Sequence, residues 1–254
     1  YWINKWEKNY WLIQGSKKDS RTMKKNYLKD AKNVFNILKN GGIAIVYMRN
    51  AYAIISGTDK ALKKVYKSKK RDLKRPSGMV AYSKTHETMH VLDKNKKTII
   101  KKFSKKYDLP ISIIAPYKKN HPLILKLSKF AKKLATKNNT VNLLLNSGPL
   151  REEIAKLSLK NNFPLIASSA NLSQKGTKYT VDAIEPEVRK IADIIIDYGP
   201  CEFYQKGKTI DADGLSLSST QIDFRDMTVV RKGVFFNKIY KIFKTDFKIK
   251  LKIN

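Results

Sequence analysis

A regular alternation of short apolar runs with amphipathic segments constrains the fold of this chain more than any other feature. Residues 27–39 carry apolar side chains at the three- and four-residue spacing of a helix, namely Leu28, Ala31, Val34, Phe35 and Leu38. Gly41 and Gly42 follow and are typical of a helix end. Residues 42–48 then form a continuous apolar run, which predicts a buried strand.

The same alternation continues along most of the chain. Further strands are predicted at residues 51–56, 79–83, 111–115, 141–145, 165–167, 194–197, 220–224 and 228–231. Further helices are predicted at residues 60–70, 94–106, 123–135 and 150–159. Strands and helices interleaved in this way predict an α/β protein, in which helices cover a sheet.

The two ends of the chain differ from this pattern. Residues 1–25 contain all three tryptophans and are predicted to be an N-terminal extension that packs on the domain and ends in a linker. The domain itself is predicted at residues 26–236, followed by a basic C-terminal tail at 237–254. Within the tail, residues 247–253 alternate apolar and basic, which predicts a strand with one wet face. Its lysines would either deter edge-to-edge aggregation or face RNA.

Composition excludes several classes of protein. A hydrophobic content of 42% excludes a disordered chain. The single cysteine, Cys201, excludes a disulfide framework and a cysteine-based metal site, so we expect a reducing, cytoplasmic location. No apolar run approaches the ~18 residues of a membrane span, and no membrane partner is expected.

The net charge is +32, from 53 Lys and Arg against 21 Asp and Glu. Such a charge attracts phosphate-rich partners, above all RNA. A general bias of the genome towards Lys, Asn and Ile would produce the same excess, because the lysines are scattered and far outnumber the arginines. The charge therefore predicts affinity for a polyanion without specifying one.

The segment 59–76 concentrates this charge, with nine basic residues against Asp59 and Asp72. Lys69 and Arg71 stand two residues apart at the end of the helix predicted there. Their side chains can converge on a polyphosphate, with Lys as a point charge and Arg as a fork. A solvated helix end is the alternative interpretation.

Later segments carry the small polar side chains that phosphate sites use. Residues 168–173 read Ser-Ser-Ala-Asn-Leu-Ser directly after a predicted strand. Hydroxyls and free backbone N–H groups there can form an anion nest, although a turn or helix cap uses the same residue types. Residues 219–223 read Ser-Thr-Gln-Ile-Asp, and residues 231–233 read Arg-Lys-Gly.

In order and spacing these segments resemble the motifs of the YrdC-like family, the threonylcarbamoyl-AMP synthases. Residues 65–71 are similar to the family's Ile-Phe-x-x-Lys-x-Arg, residues 168–173 to its Ser-x-Asn, and residues 219–233 to its Ser-Thr-x-Val-Asp and Arg-x-Gly. The resemblance spans roughly residues 29–235. It implies an α/β, YrdC-like fold: a twisted, mostly mixed sheet with helices on its faces and a concave basic pocket.

The resemblance also implies an activity. Family members are nucleotidyltransferases that condense L-threonine, bicarbonate and ATP to threonylcarbamoyl-AMP and diphosphate. A tRNA threonylcarbamoyltransferase then modifies adenosine 37 of tRNA. By this resemblance Lys69 and Arg71 are catalytic, ATP and Mg2+ are the cofactors, and the Mg2+ bridges the phosphates. The implied nucleotide-binding residues are Ser169, Asn171, Ser219 and Arg231.

One family motif is replaced in this chain. Where the family has Gly-Gly-x-x-x-x-Pro-Thr-Asp-Thr-x-Tyr, residues 41–52 keep both glycines and Tyr52 but read Tyr-Met-Arg-Asn at positions 47–50. The family's threonine hydroxyls line the amino-acid side of its site, so we expect weak synthase activity or dependence on a partner protein. Tyr52 and Arg49 are the candidate substrate-binding residues, with Arg49 pairing with the substrate carboxylate.

Two other functions stay open at this point. A divergent, non-catalytic family member would bind RNA or nucleotide through the same surface, and a carbamoyl-transferring relative would act on another acceptor. If Arg49 or Asn50 faces the pocket, synthesis is favoured, whereas a pocket filled by Tyr47 and Met48 favours binding alone.

Residues 86–90 read His-Glu-Thr-Met-His, the pattern of zinc proteases. That chemistry needs a helix, a third ligand and an open metal position. The segment directly follows the strand predicted at 79–83, and only one other histidine, His121, is present. We therefore predict no functional metal.

Overall fold

The computed structural model describes residues 12–13, 26–204 and 217–253. In these residues twelve strands form one mixed sheet. The strands are β1 (Leu12–Ile13), β2 (Ala44–Tyr47), β3 (Tyr52–Ser56), β4 (Gly78–Met79), β5 (Ile111–Pro116), β6 (Thr136–Lys137), β7 (Thr140–Leu145), β8 (Ile166–Ser169), β9 (Ile194–Ile196), β10 (Thr220–Asp223), β11 (Thr228–Arg231) and β12 (Lys252–Ile253).

Helices accompany most of the strands in the described residues. They are α1 (Tyr27–Lys39), α2 (Asp59–Ser68), α3 (Ser83–Met89), α4 (Lys94–Lys102), α5 (Pro122–Leu125), α6 (Lys129–Ala135), α7 (Pro149–Lys160), α8 (Pro186–Arg189) and α9 (Phe236–Asp246). One π-helical turn, Phe103–Tyr107, extends α4. No helix in the described ranges combines the length and the apolar character needed to span a membrane.

The strand order is β1-β9-β2-β3-β8-β4-β7-β5-β10-β11-β12, with β6 paired to β7. The sheet is mixed, because β2–β3 and β3–β8 are antiparallel while β2–β9 and β5–β10 are parallel. The predicted α/β fold with a mixed sheet is confirmed. Neighbouring strands come from distant parts of the sequence, so the sheet brings together residues that lie far apart in the chain.

The core consists of three apolar clusters. The first joins α1 and α7 to β2, β3 and β9, and all the apolar residues predicted for α1 are buried except Leu28. The second lies beneath β5, β10 and β11. The third lies between the central strands and the pair α2 and α6. Every residue of β2 and β3 is buried, so packing covers both faces of the sheet at these strands.

The C-terminal segment belongs to the second cluster. Ile239 and Phe243 of α9 are buried there together with Leu251. The strand predicted at 247–253 is reduced to β12; the predicted alternation of inward apolar and outward basic side chains occurs at residues 247–252, whereas Ile253 is exposed. Helix α9 was not predicted, although its apolar side chains have helical spacing. The boundaries placed at residues 25 and 236 stay predictions.

The N-terminal extension lies mostly outside the described residues, and so do its three tryptophans. The described pair Leu12–Ile13 adds a parallel strand beside β9, at one edge of the sheet.

Two predicted elements are divided in the structure. The strand predicted at 79–83 ends at Met79, and α3 begins at Ser83, where the Thr85 hydroxyl accepts a hydrogen bond from the backbone N–H of Tyr82. The helix predicted at 123–135 is split into α5 and α6. Ser128 caps the second helix by accepting from the backbone N–H of Ala131.

Candidate functional site

An open cleft of about 740 Å³ lies against part of the sheet. Its floor is formed by strands β3, β8, β4, β7, β5 and β10, which lie side by side. Because alternate residues of a strand share one face, every second residue of these strands lines the cleft. The loop after β2 and the loop after α2 form parts of its walls.

The strands that form the floor of the cleft carry small residues. Ala53, Gly78, Ala167 and Ser112 line the cleft on four different strands. A Cβ added at Gly78 would stand 3.2 Å from the backbone oxygen of Asn142, so only glycine fits there without displacement. This row of small side chains leaves room for a bound molecule directly above the backbone of the sheet.

The cleft is strongly cationic. Six of its lining side chains are basic: Arg71, Arg75, Lys137, Arg151, Arg225 and Arg231. Asp223 is the single carboxylate among the described lining residues, and Arg225 already pairs with it at 2.7 Å. The remaining five charges are uncompensated within the cleft. Such a surface favours a ligand with several negative charges.

Arg71 and Arg231 approach the cleft from two distant segments. Arg71 follows α2 and donates from Nη2 to the backbone oxygen of Pro76 at 2.7 Å, while its Nε is buried without a partner. Arg231 ends β11 and donates to the backbone oxygen of Ser219 at 3.0 Å. Arg231 is exposed as a whole residue, yet desolvation of its guanidinium in the cleft, and secondly the charge of Arg71, lowers its pKa. The two guanidinium groups therefore repel each other, and an anion between them would relieve the repulsion.

Ser219 stands beside Arg231 in the cleft wall. Its hydroxyl lies 2.9 Å from that of Ser112 on the neighbouring strand. The structure thus places Arg71, Ser169, Ser219 and Arg231, four of the predicted site residues, on the cleft surface.

Lys69 lies behind the cleft wall rather than in it. Its side chain is 1% exposed, and its Nζ donates to the backbone oxygens of Ser169 and Asn171. Burial, and secondly the charge of Arg71, lowers the pKa of Lys69 to about 7. In this position Lys69 holds the Ser-x-Asn loop and does not reach a molecule in the cleft.

Other contacts fix the same loop from both sides. The backbone N–H of Ser173 donates to the oxygen of Lys69 at 3.0 Å, and that of Leu172 donates to Glu185 at 3.0 Å. Asn171 is buried, accepts a hydrogen bond from the Ser169 hydroxyl and is absent from the cleft surface. The loop therefore presents Ser169 to the cleft, with Asn171 and Lys69 as its internal supports.

Arg49 is not part of the cleft surface. Its guanidinium donates twice to Glu202, at 2.8 Å each, and once to Asp108 at 2.7 Å, and it lies 4.3 Å from the ring centroid of Phe203. All three contacts lie far from Arg49 in sequence. The geometry therefore gives Arg49 a structural role, in which it anchors the loop that carries Met48 and Asn50, in place of the predicted contact with a substrate carboxylate.

Tyr52 is likewise fully buried. Its hydroxyl is within 2.7 Å of both the Asp197 carboxylate and the backbone oxygen of Gly199. Burial and the hydrogen bond to Asp197 raise its pKa. Like Arg49, Tyr52 supports the frame of the cleft and does not line it.

Three cleft residues carry buried polar atoms without a partner; the sequence raised Asn50 as a residue that faces the pocket, whereas Asn142 and Arg151 were missed. These atoms are Oδ1 of Asn50, Oδ1 of Asn142 and Nε of Arg151. Buried polar atoms are rarely left unpaired, so in a cleft they indicate contacts with a ligand. Arg151 is fully enclosed at the start of α7, and burial lowers its pKa to about 10. A basic or amide residue at an inward position of a strand or helix is the signal that could have revealed them.

The His-Glu-x-x-His segment is helical, which corrects the expectation from sequence. His86 lies in α3 and His90 immediately follows it, both are 1% exposed, and their ring centroids are 5.0 Å apart. Glu87 faces outward. No set of three His, Cys, Asp or Glu residues suited to a metal ion occurs in the described ranges. The prediction that the protein has no functional metal site stays a prediction.

Comparisons with known proteins agree with the fold. The model of the Sua5/YciO/YrdC domain, described as "Telomere recombination", matches residues 36–215. A protein of Methanocaldococcus jannaschii, named "Putative threonylcarbamoyl-AMP synthase", is 30% identical over 188 residues, which cover 71% of this chain and 81% of that protein.

Two solved structures extend the comparison. The hypothetical protein smu.1377c of Streptococcus mutans has a TM-score of 0.66 at 21% identity, covering 88% of this chain and 94% of that one. Sua5 of P. abyssi, solved in complex with L-threonine, has a TM-score of 0.65 at 15% identity, covering 89% of this chain and 59% of that one. At these identities the structures show a shared fold. The family model spans most of the chain, and the chain belongs to the Sua5/YciO/YrdC family.

Proposed function

We propose that this protein is a nucleotidyltransferase that uses ATP to synthesise threonylcarbamoyl-AMP from L-threonine and bicarbonate. The observation that carries the proposal is the pair Arg71 and Arg231, held at the surface of a cationic cleft without carboxylate partners. The M. jannaschii relative supports the same activity through its name. The product would serve modification of tRNA, with a tRNA threonylcarbamoyltransferase as the partner enzyme.

In this proposal the triphosphate of ATP lies between the two guanidiniums. Carbamate formed from the threonine amine and CO2 attacks the α-phosphorus through an oxygen, and diphosphate leaves. Arg71 and Arg231 neutralise the charge on the phosphates, which is an electrostatic and not a covalent contribution. Ser169 and Ser219 orient the phosphates by hydrogen bonds, while Lys69 and Asn171 keep the Ser169 loop in place.

Mg2+ would be bound mainly by the nucleotide. Magnesium prefers oxygen ligands and often takes them from phosphates and one or two carboxylates. Asp223, the carboxylate of the cleft, is held by Arg225 at 2.7 Å, and the described residues contain no metal-binding cluster of three. The ion would therefore enter bound to ATP, where it adds charge neutralisation to that of the arginines.

The altered loop after β2 forms the amino-acid end of the cleft in this proposal. Met48 and Asn50 line the cleft, and Oδ1 of Asn50 has no partner. Asn50 can therefore bond the substrate amine or hydroxyl. Met48 offers no hydrogen bond where the family has a threonine, so weak affinity for L-threonine is expected, at a cost of about 1–3 kcal/mol per lost contact.

A non-catalytic member that only binds nucleotide or RNA is the second candidate. The burial of Met48 at the cleft surface favours it, because an apolar side chain there narrows the amino-acid end. A carbamoyl-transferring relative with another acceptor would also use the cationic cleft. The three candidates share the phosphate site and differ in the second substrate.

Two measurements test the proposal. Calorimetry with ATP compares wild type with Arg71→Ala, and with Lys74→Ala as an exposed control on the same turn. Loss of a charge-assisted contact costs about 1.5–3 kcal/mol, so Arg71→Ala should weaken binding about 10- to 150-fold and Lys74→Ala should not. Equal affinities for ATP in all three proteins would show that Arg71 does not contribute to ATP binding.

The second measurement is release of diphosphate from ATP and bicarbonate, with each amino acid added in turn. Release that requires threonine supports the synthase. Release that requires a different acceptor supports the carbamoyl-transferring relative. ATP binding without any release, in the presence of the transferase as well, supports the non-catalytic candidate.

A further inference from the structure

A cationic groove lies outside the cleft, between α2, the turn that follows it, and α6. It is lined by Lys63, Tyr66, Lys67, Lys70, Arg71, Asp72, Leu73 and Phe130. Arg71 lines both the groove and the cleft, so the two are continuous at that residue. The Ser128 hydroxyl donates to Asp59 at 2.6 Å and joins the starts of the two helices.

The charge of this surface exceeds that of the rest of the chain. The two segments that contain its lining residues, 59–76 and 117–139, together have 16 basic residues and 2 acidic ones. The remainder of the chain contains 37 basic and 19 acidic residues, a ratio near two to one. A general bias towards lysine would raise the ratio of basic to acidic residues equally in both parts of the chain. It therefore does not account for a ratio of eight to one in two segments that pack together.

These charges are also unpaired. Ion pairs between described residues occur elsewhere, as in Lys156–Glu153 and Lys178–Glu185, but none involves a basic residue of 59–76 or 117–139. The two acidic residues make other contacts, Asp59 with Ser128 and Asp72 with the backbone N–H of Lys74. Lys69 is buried, but the other lysines of the two segments are exposed and available to an external polyanion.

Apolar side chains lie within the same groove. Leu73 is 44% exposed, and the Nζ of Lys63 lies 5.4 Å from the ring centroid of the half-buried Phe130. Proteins that bind single-stranded nucleic acid combine a cationic groove, which follows the phosphates, with apolar or aromatic surfaces that contact bases. An acidic peptide would use the charges and leave the base-sized apolar surface without a role.

We propose that this groove binds single-stranded RNA, with phosphates along the lysines of α2 and α6 and a base against Leu73 and Phe130. RNA bound there would meet the cleft at Arg71. The proposal does not depend on synthase activity, because the binding is measured without ATP or threonine.

The test compares two charge-matched triple variants of the full chain. The first changes Lys63, Lys67 and Lys70 of the groove to Glu. The second changes Lys29, Lys32 and Lys39, exposed residues of α1, to Glu and alters the net charge by the same amount. The probe is a fluorescent oligouridine about 12 nucleotides long, titrated at several salt concentrations. Circular dichroism and ATP binding check that each variant is folded.

The groove variant should bind at least tenfold more weakly than wild type, and the dependence of log Kd on log salt should fall by about 2. The α1 variant should change affinity less than threefold. Leu73→Ala should weaken binding about fivefold or more without changing the salt dependence. Equal losses in the two triple variants would overturn the proposal in favour of diffuse charge. Displacement of the probe by polyglutamate as effectively as by RNA would identify an acidic protein as the partner instead.

Discussion

Replacing Lys69 with methionine should change how the stability of the protein depends on pH. The Lys69 ammonium is 1% exposed, and its pKa is lowered from 10.5 to about 7, first by burial and then by Arg71. Between these two values the unfolded chain holds a proton that the folded chain has released. Stability therefore rises with pH across this range, since the unfolded state binds more protons. The cost of burying the charge applies in full only below pH 7.

The magnitude follows from the lowered pKa. One pKa unit corresponds to about 1.4 kcal/mol, and integration from pH 7 to pH 9 gives a gain of about 2 kcal/mol from this lysine alone. Methionine has a similar length and no titrating group. In Lys69→Met the gain should disappear, while loss of the hydrogen bonds to the oxygens of Ser169 and Asn171 lowers stability at every pH.

The assay is urea unfolding followed by circular dichroism at pH 7, 8 and 9. Lys67→Met, an exposed lysine in the last turn of α2, serves as the control for removal of a charge. The unfolding free energy of wild type minus that of Lys69→Met should increase by about 2 kcal/mol from pH 7 to pH 9. A constant difference would refute the lowered pKa and with it the burial of the ammonium behind the cleft wall.

Three further predictions concern residues around the cleft. Arg49→Ala should lower the free energy of unfolding by about 1–3 kcal/mol. Glu202→Gln should lower it by less, because Arg49 still donates to Asp108 in that variant. Equal thermal stability of Arg49→Ala and wild type would refute the anchoring role. Gly148→Ala should be destabilised by about 1–3 kcal/mol, since φ is +110° and the new Cβ would stand 2.9 Å from Cγ of Arg49; urea unfolding that matches wild type would contradict this strain. Burial lowers the pKa of His90 to about 3, so the stability contributed by the neutral ring is complete above pH 6.5 and is lost as the pH falls towards 3. The free energies of unfolding of wild type and His90→Leu, measured between pH 7 and pH 4, should converge as the pH falls. Parallel curves would show that His90 titrates normally.

Local patterns of residues were sufficient to predict the fold class and the segments that meet at the cleft. Apolar periodicity is a local property, so β2, β3, α1 and α7 were predicted close to their observed bounds. Helix α9 and the division of α5 from α6 were missed, although the side chains that form them are visible in the sequence.

Which of the predicted side chains face the cleft depends on tertiary contacts between segments that are far apart in the chain. Lys69 and Arg71 are two residues apart, yet one is enclosed and the other lines the cleft. Lys70 between them has a φ of +48°, and Arg71 donates its backbone N–H back to Tyr66 at 2.9 Å, so the chain reverses at this point. The Ser169 loop, about a hundred residues later in sequence, provides the oxygens that draw Lys69 inward. A contact over that separation is fixed by the packing of the whole sheet, and no local pattern of residues encodes it.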